Sequence, residues 1–165
     1  MYIDFDDMPE SARLWWYQAD RELSAEEVDK ISERLISAIG GWVTHGMPLR
    51  GAFRIVHQRI ILVAADVEYQ SPSGCSIDSS TRWLQDLGAE MGLNLFDRSF
   101  AVQQADRLDF VPFMDLKSRV ESGQIGPETL VGNATISRKG DLDSRFFVLA
   151  KDTYIKRYFS AVERA

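Results

Sequence analysis

One cysteine, two histidines and no apolar run longer than Ile60–Ala65 narrow the possibilities for this 165-residue chain before any motif is considered. A lone thiol cannot close an intrachain disulfide, which excludes a stapled secreted scaffold. The longest apolar run falls far short of the roughly 18 residues needed to cross a bilayer as a helix. His45, His57 and Cys75 match no closed zinc pattern, so no metal is expected, and the absence of a cofactor fingerprint leads to the same expectation for cofactors.

Basic charge is the scarcer sign, with 19 Lys and Arg against 25 Asp and Glu and a net charge of −6. A phosphate backbone is met by clustered cations, so nucleic acid is not an expected partner. The first ten residues carry Asp4, Asp6, Asp7 and Glu10 where an export signal would place basic charge and then an apolar stretch. A cytoplasmic protein that does not insert into membranes is the expectation. Only 5 Pro and 11 Gly interrupt a chain that is 45% hydrophobic, enough to exclude global disorder. The length suits one domain able to bury about 70% of its unfolded surface.

Residues 1–10 show no apolar periodicity and read as a loosely held acidic arm. A first strand is predicted over Ala12–Gln18, which contains Leu14, Trp15, Trp16 and Tyr17. Ser24 and Glu27 have capping-box spacing, so a helix should start at Ala25. Val28, Ile31, Leu35, Ala38 and Ile39 would line one face of it, and Gly40 and Gly41 would stop it. Ala52–His57 and Arg59–Val67 read as neighbouring strands, the second apolar enough to be central. A loop over Gln70–Ser76 should lead to a helix ending near Met91, with Trp83, Leu84, Leu87 and Met91 inward. A strand at Ser99–Gln103 follows.

That order is the split βαβ arrangement of ferredoxin-like folds. The expected fold is therefore α+β, with a ferredoxin-like βαββαβ core over residues 11–104 and an extension over residues 105–165 in the same single domain. The extension should add a strand at Leu108–Phe113, a short helix at Met114–Ser122 with Leu116 and Val120 inward, and a strand at Thr129–Val131. A last helix after Asp152 would dock through Tyr154, Ile155, Tyr158, Phe159 and Val162.

Three segments invite a chemical reading. Gly41–Gly46 has the glycine spacing that opens a P-loop, but Met47 and Pro48 stand where Lys and Ser or Thr must hold phosphate and magnesium. Asn133, Ala134 and Thr135 spell a glycosylation sequon, which has no meaning without export. Gly74–Ser80 joins a flexible loop to a helix start. There, free amides and the positive end of the helix dipole would favour a small anion and activate Cys75, with the hydroxyls of Ser76, Ser79 and Ser80 as further donors. Gly74, Cys75, Ser76, Asp78 and Ser79 are thus the candidate ligand-binding residues, joined by His57, and His45 or His57 could approach Cys75 in space. Capping and packing are the competing roles of the same residues. Asp66, Glu68 and Tyr69 would border that region.

Leu14–Asp20 with its Trp15, Tyr17 and Gln18, the Gly-Cys-Ser-Ile-Asp-Ser stretch from Gly74 to Ser79, and Leu95-Phe96-Asp97-Arg98 occur in an order that resembles a family of small bacterial proteins of unknown function. Some of these carry the automatic label ABC transporter ATPase. The resemblance implies no site residue, and Met47 and Pro48 speak against the ATPase label. Between Met114 and Val131, Leu116, Val120, Gly123, Ile125, Thr129, Leu130 and Val131 are similar to the helix-turn-strand pattern of GYF-like adaptor modules, whose Gly-Tyr-Phe cluster is not found here. The leading expectation is a binding or interaction domain for a protein partner or for itself, without catalytic machinery. The alternative is a cysteine-dependent enzyme, or a redox- or anion-sensing domain, centred on Gly74–Ser80.

Overall fold

Ser24 opens the first helix as its spacing predicts. In a computed structural model, which describes the backbone of residues 1–162 and the side chains of residues 1–159, Ser24 Oγ accepts from the Glu27 amide at 3.2 Å. A Glu27 carboxylate oxygen accepts from the Ser24 amide at 2.9 Å. Arg21 grips the same carboxylate at 2.7 and 2.9 Å. The Arg21 hydrogen bond first, and the Ser24 amide second, hold the Glu27 carboxyl down at about 2. Helix α1 runs Ala25–Gly40 and buries Ile31, Leu35 and Ile39.

The chain forms two compact units, residues 1–97 with 135–142, and residues 98–134 with 143–165. The first contains strand β1 (Arg13–Gln18), α1, a small hairpin of β2 (Val43–Thr44) and β3 (Met47–Pro48), strands β4 (Gly51–Val56) and β5 (Ile60–Ala65), and helix α2 (Gly74–Met91). Its sheet has the antiparallel order β1-β5-β4. Every residue of β5 is buried, as the unbroken apolar run requires of a central strand. Alternation along the strands sends Trp15, Tyr17, Phe53, Ile55, Ile61 and Val63 to one face, where they meet Ile31, Leu35, Ile39, Leu84 and Leu87. The fully buried ones among these, such as Ile31, Leu35, Ile39, Ile61 and Leu84, each contribute about 1.5–3 kcal/mol. Gly92 ends α2 in the left-handed conformation at φ 66, which costs glycine no Cβ clash.

Two expectations are corrected in this unit. The first ten residues are held rather than loose. Ile3 N–H donates to Gly51 O and Gly51 N–H to Met1 O, both at 3.0 Å. Phe5 and Met8 are buried, and the Lys139 ammonium donates to the carbonyls of Asp6 and Met8. The acidic residues masked this packing, because the apolar ones among them have no regular period.

The second correction concerns the βαββαβ core. Its fourth strand does not join this sheet, because other segments cover the outer edge of β1. Leu95–Asp97 lies along one end, with Gln18 N–H to Leu95 O at 3.1 Å and Asp97 N–H to Gln18 O at 2.9 Å. Ser137 O receives the Leu14 amide at 2.9 Å at the other end. Gln18 and Arg59 both reach the Asp97 carboxylate, at 3.1 and 3.4 Å, and tie the first of these segments down.

The predicted fourth strand instead opens the second unit as β6 (Phe100–Gln104). It is followed by β7 (Arg107–Val111), helix α3 (Leu116–Glu121), β8 (Leu130–Gly132), helix α4 (Leu142–Arg145) at the unit boundary, β9 (Phe147–Leu149) and helix α5 (Lys156–Val162). The sheet order is β7-β6-β8-β9. The boundary between the two compact units falls after Asp97, before the expected end of the core at residue 104. Leu116 and Val120 point inward as predicted and pack with Val102, Val111, Ile125, Val131, Ala150 and Ile155. Tyr158 and Phe159 lie against the same core; the side chain of Val162 lies outside the described residues. No helix among the described residues is long and apolar enough to cross a membrane.

Candidate functional site

Ser73, not a later serine, caps α2: its Oγ accepts from the Ser76 amide at 3.3 Å. Pro72 explains the choice, since it biases Ser71 towards extended backbone and leaves Ser73 the first residue able to cap. Gly74, Cys75 and Ser76 are consequently the first helical turn and not a flexible loop. The hydroxyls expected to face a ligand turn back on the helix. Ser76 Oγ donates to Ser73 O at 2.8 Å, Ser79 Oγ to Cys75 O at 2.9 Å, and Ser80 Oγ to Ile77 O at 2.7 Å.

Ser76 is buried, and its carbonyl accepts the Trp42 indole N–H at 2.8 Å, while Gly74, Cys75 and Asp78 are exposed. Cys75 has no hydrogen bond to either histidine. His57 sits in the β4–β5 turn, where His57 and Gln58 take φ values of 51 and 50, a type I′ geometry. That turn is at the opposite end of β5 from Ala65, where the chain leaves towards α2. Six strand residues span about 20 Å, so His57 does not join the Cys75 turn. His45 is exposed in the β2–β3 turn.

Asp66 is buried, and its Oδ1 accepts the amides of Glu68 and Tyr69 at 3.0 and 3.1 Å; Arg50 approaches to 3.7 Å and stacks over the Tyr69 ring at 4.0 Å. This is a strand-ending turn whose carboxylate is already satisfied. The Gly41–Gly46 segment is likewise structural. Gly41 terminates α1, the buried Trp42 meets Trp15 and Trp83 edge-on at 6.1 and 5.4 Å, and His45 and Gly46 form the left-handed turn of the β2–β3 hairpin. A phosphate-binding loop requires a strand before it and a helix after it, the reverse of this arrangement. No group of three or more His, Cys, Asp or Glu is placed to hold a metal among the described residues.

A different surface emerges in the second unit. Phe113 is 49% exposed, Met114 86% and Tyr154 45%, far more than residues of this size show when they serve a core. The Phe113 and Tyr154 rings stack with centroids 5.9 Å apart and planes 23° apart, and Phe100 meets Tyr154 edge-on at 5.4 Å. Arg157 lies 5.7 Å from the Tyr154 ring and 4.8 Å from that of Tyr158. Burial, and then the neighbouring Tyr158, push the Tyr154 phenol up from its ordinary value, with Arg157 opposing.

Local constraints create this surface. Pro112, at φ −53 and ψ 144, ends β7 and opens a single 3-10 turn, Phe113–Asp115. Phe113 stands three residues before Leu116, on the same side of the turn, and is half-covered against the Tyr154 ring, whereas the inward Leu116 turns Met114, two residues before it, outward. Ile155 does the same to Tyr154, which the sequence had assigned to a buried stripe. The readable signal was Met114, an apolar residue lying out of phase with an inward leucine.

No family model, curated protein or solved structure matches the chain.

Proposed function

We propose that this chain is a binding domain that engages an extended protein segment through Phe113, Met114 and Tyr154. The single observation that carries this reading is the stacked, half-exposed Phe113–Tyr154 pair beside the nearly bare Met114. Aromatic rings offer large contact area at low entropic cost, and methionine adapts to irregular partners. Exposing them in water is unfavourable unless a partner covers them. A proline-rich segment is the ligand class this surface suits, since a polyproline II chain docks on exposed rings with little ordering cost.

Fluorescence anisotropy with a labelled proline-rich peptide tests this. Phe113→Ala combined with Tyr154→Ala should abolish binding without unfolding the protein. Equal affinity in the double variant would reject the surface.

One observation favours the cysteine reading: the Cys75 thiol is exposed at the start of an 18-residue helix. The inward-turned hydroxyls weigh against it. Alkylation of the folded protein at a rate no faster than that of a free thiol would remove this reading.

A further inference from the structure

Strand β4 is an edge strand of the first unit's sheet. Gly51 uses both its N–H and its C=O on that edge, bonding Met1 and Ile3. The period-2 alternation of a strand then turns the N–H and C=O of Phe53 and Ile55 to the same side, while Ala52, Arg54 and Val56 bond β5. Past Gly51, no strand or bridge pairs with this edge among the described residues. The open window is bounded by the N-terminal segment at Gly51 and by the His57–Gln58 turn. It covers residues 52–56 and is centred on Arg54. It contains no proline, and its one charged side chain, Arg54, is drawn to Asp6 and Phe5 of the N-terminal segment.

We infer that this window pairs with a second copy of itself, antiparallel about a two-fold axis at Arg54. In that register the outward groups of Phe53 meet those of Ile55 of the second copy, and the reverse, so four backbone hydrogen bonds form. The same step creates two aromatic–β-branched cross-strand pairs, a favoured combination, and sets Ala52 opposite Val56. Shifting the register by one residue would set outward groups against inward ones. The facing Arg54 side chains do not forbid the pairing. Each is ion-paired to Asp6 of its own chain and stacks over Phe5 at 4.4 Å. The product is one continuous sheet, β1-β5-β4 joined to its symmetry copy, with an isologous interface.

Sedimentation over a wide concentration range, combined with amide hydrogen exchange, tests the inference on the full chain. A monomer–dimer equilibrium is expected, with the Phe53 and Ile55 amides protected only in the dimer. Ile55→Pro removes an N–H that no intrachain bond uses and should weaken dimerisation about tenfold or more while the thermal melt is retained. Arg54→Cys in a Cys75→Ser background tests register separately. Non-hydrogen-bonded partners across an antiparallel pair lie about 4.5 Å apart at Cα, within disulfide reach, so oxidation should give a covalent dimer. A protein that stays monomeric with both amides exchanging freely overturns the proposal and leaves the edge to an extended segment of another protein. A dimer in which Arg54→Cys does not cross-link and Ile55→Pro has no effect overturns it equally.

Discussion

The two units solve the problem of burying apolar surface in opposite ways. The first has helices of 16 and 18 residues on a sheet of six-residue strands, and it draws Trp42 inside to 1% exposure. The second has strands of three to five residues and helices of seven or fewer, joined by 3-10 turns. It leaves Phe113, Met114 and Tyr154 outside. The two long helices expose one large apolar side chain, Ile36, and the other exposed ones of the first unit, such as Val43, Met47 and Tyr69, lie in its short hairpin and turns, as Phe113, Met114 and Tyr154 lie in the short elements of the second. The comparison teaches where large side chains are left to solvent by short elements: the first unit has the longer, better-packed elements, and the second carries the aromatic surface proposed for recognition.

The largest expected effects break the scaffold. Leu35→Ala and Leu87→Ala each remove a buried side chain from the α1–α2 face and should cost about 2–5 kcal/mol in denaturant melts. A loss well below 1 kcal/mol at both positions would mean that the first unit is not the better-packed one. Trp42→Phe should cost about 1–3 kcal/mol, because it leaves the Ser76 carbonyl without its indole donor inside the protein. Retention of full stability would show that the Trp42–Ser76 bond does not anchor the start of α2.

Smaller effects sharpen the picture of the helix starts. Ser73→Ala should cost about 1 kcal/mol as the loss of an N-cap. Loss of the same size at Ser79 but not Ser73 would move the cap and reopen the Gly74–Ser80 site. Glu27 makes a pH-dependent prediction. Its folded value, about 2, is depressed from an ordinary 4.5, so its contribution is present above about 4.5 and is lost as pH falls towards 2. Glu27→Gln keeps the capping geometry and removes the charge. The difference between variant and parent should be under about 1 kcal/mol at pH 6, after solvent screening, and should vanish near pH 2. A difference that persists at pH 2 would assign the effect to shape rather than charge.

Much of the scaffold was legible because its signals are local. Ser24 and Glu27 stand three apart, Ile31, Leu35 and Ile39 repeat four apart, and Ile60–Ala65 is apolar on both faces. The β1 edge was not legible. Its cover comes from Leu95–Asp97 and Ser137–Arg138, and neither segment has the length or period of a strand. Their pairing is decided by a distant edge with unsatisfied amides, which no window of sequence reports. The same reason hides the N-terminal segment, whose anchor, Lys139, is more than a hundred residues away.

The candidate site fared differently from the fold. Gly74–Ser80 has the composition of an anion site, yet Ser and Gly at a helix start satisfy backbone groups equally well, and only the direction of the Ser76, Ser79 and Ser80 hydroxyls distinguishes the two uses. The aromatic surface was spelled out in Phe113-Met114 and Tyr154, but read as a strand end, a helix start and a docking stripe, because the short 3-10 turns that expose it carry no period.

Chemical-shift mapping of the 15N-labelled chain, titrated with a proline-rich peptide, tests the division between scaffold and recognition surface most directly. The account predicts saturable shifts at Phe113, Met114, Tyr154 and Phe100, with the first turn of α2 around Cys75 unmoved. Shifts concentrated at Gly74–Ser80, or no shifts at the aromatic residues at millimolar peptide, would contradict it.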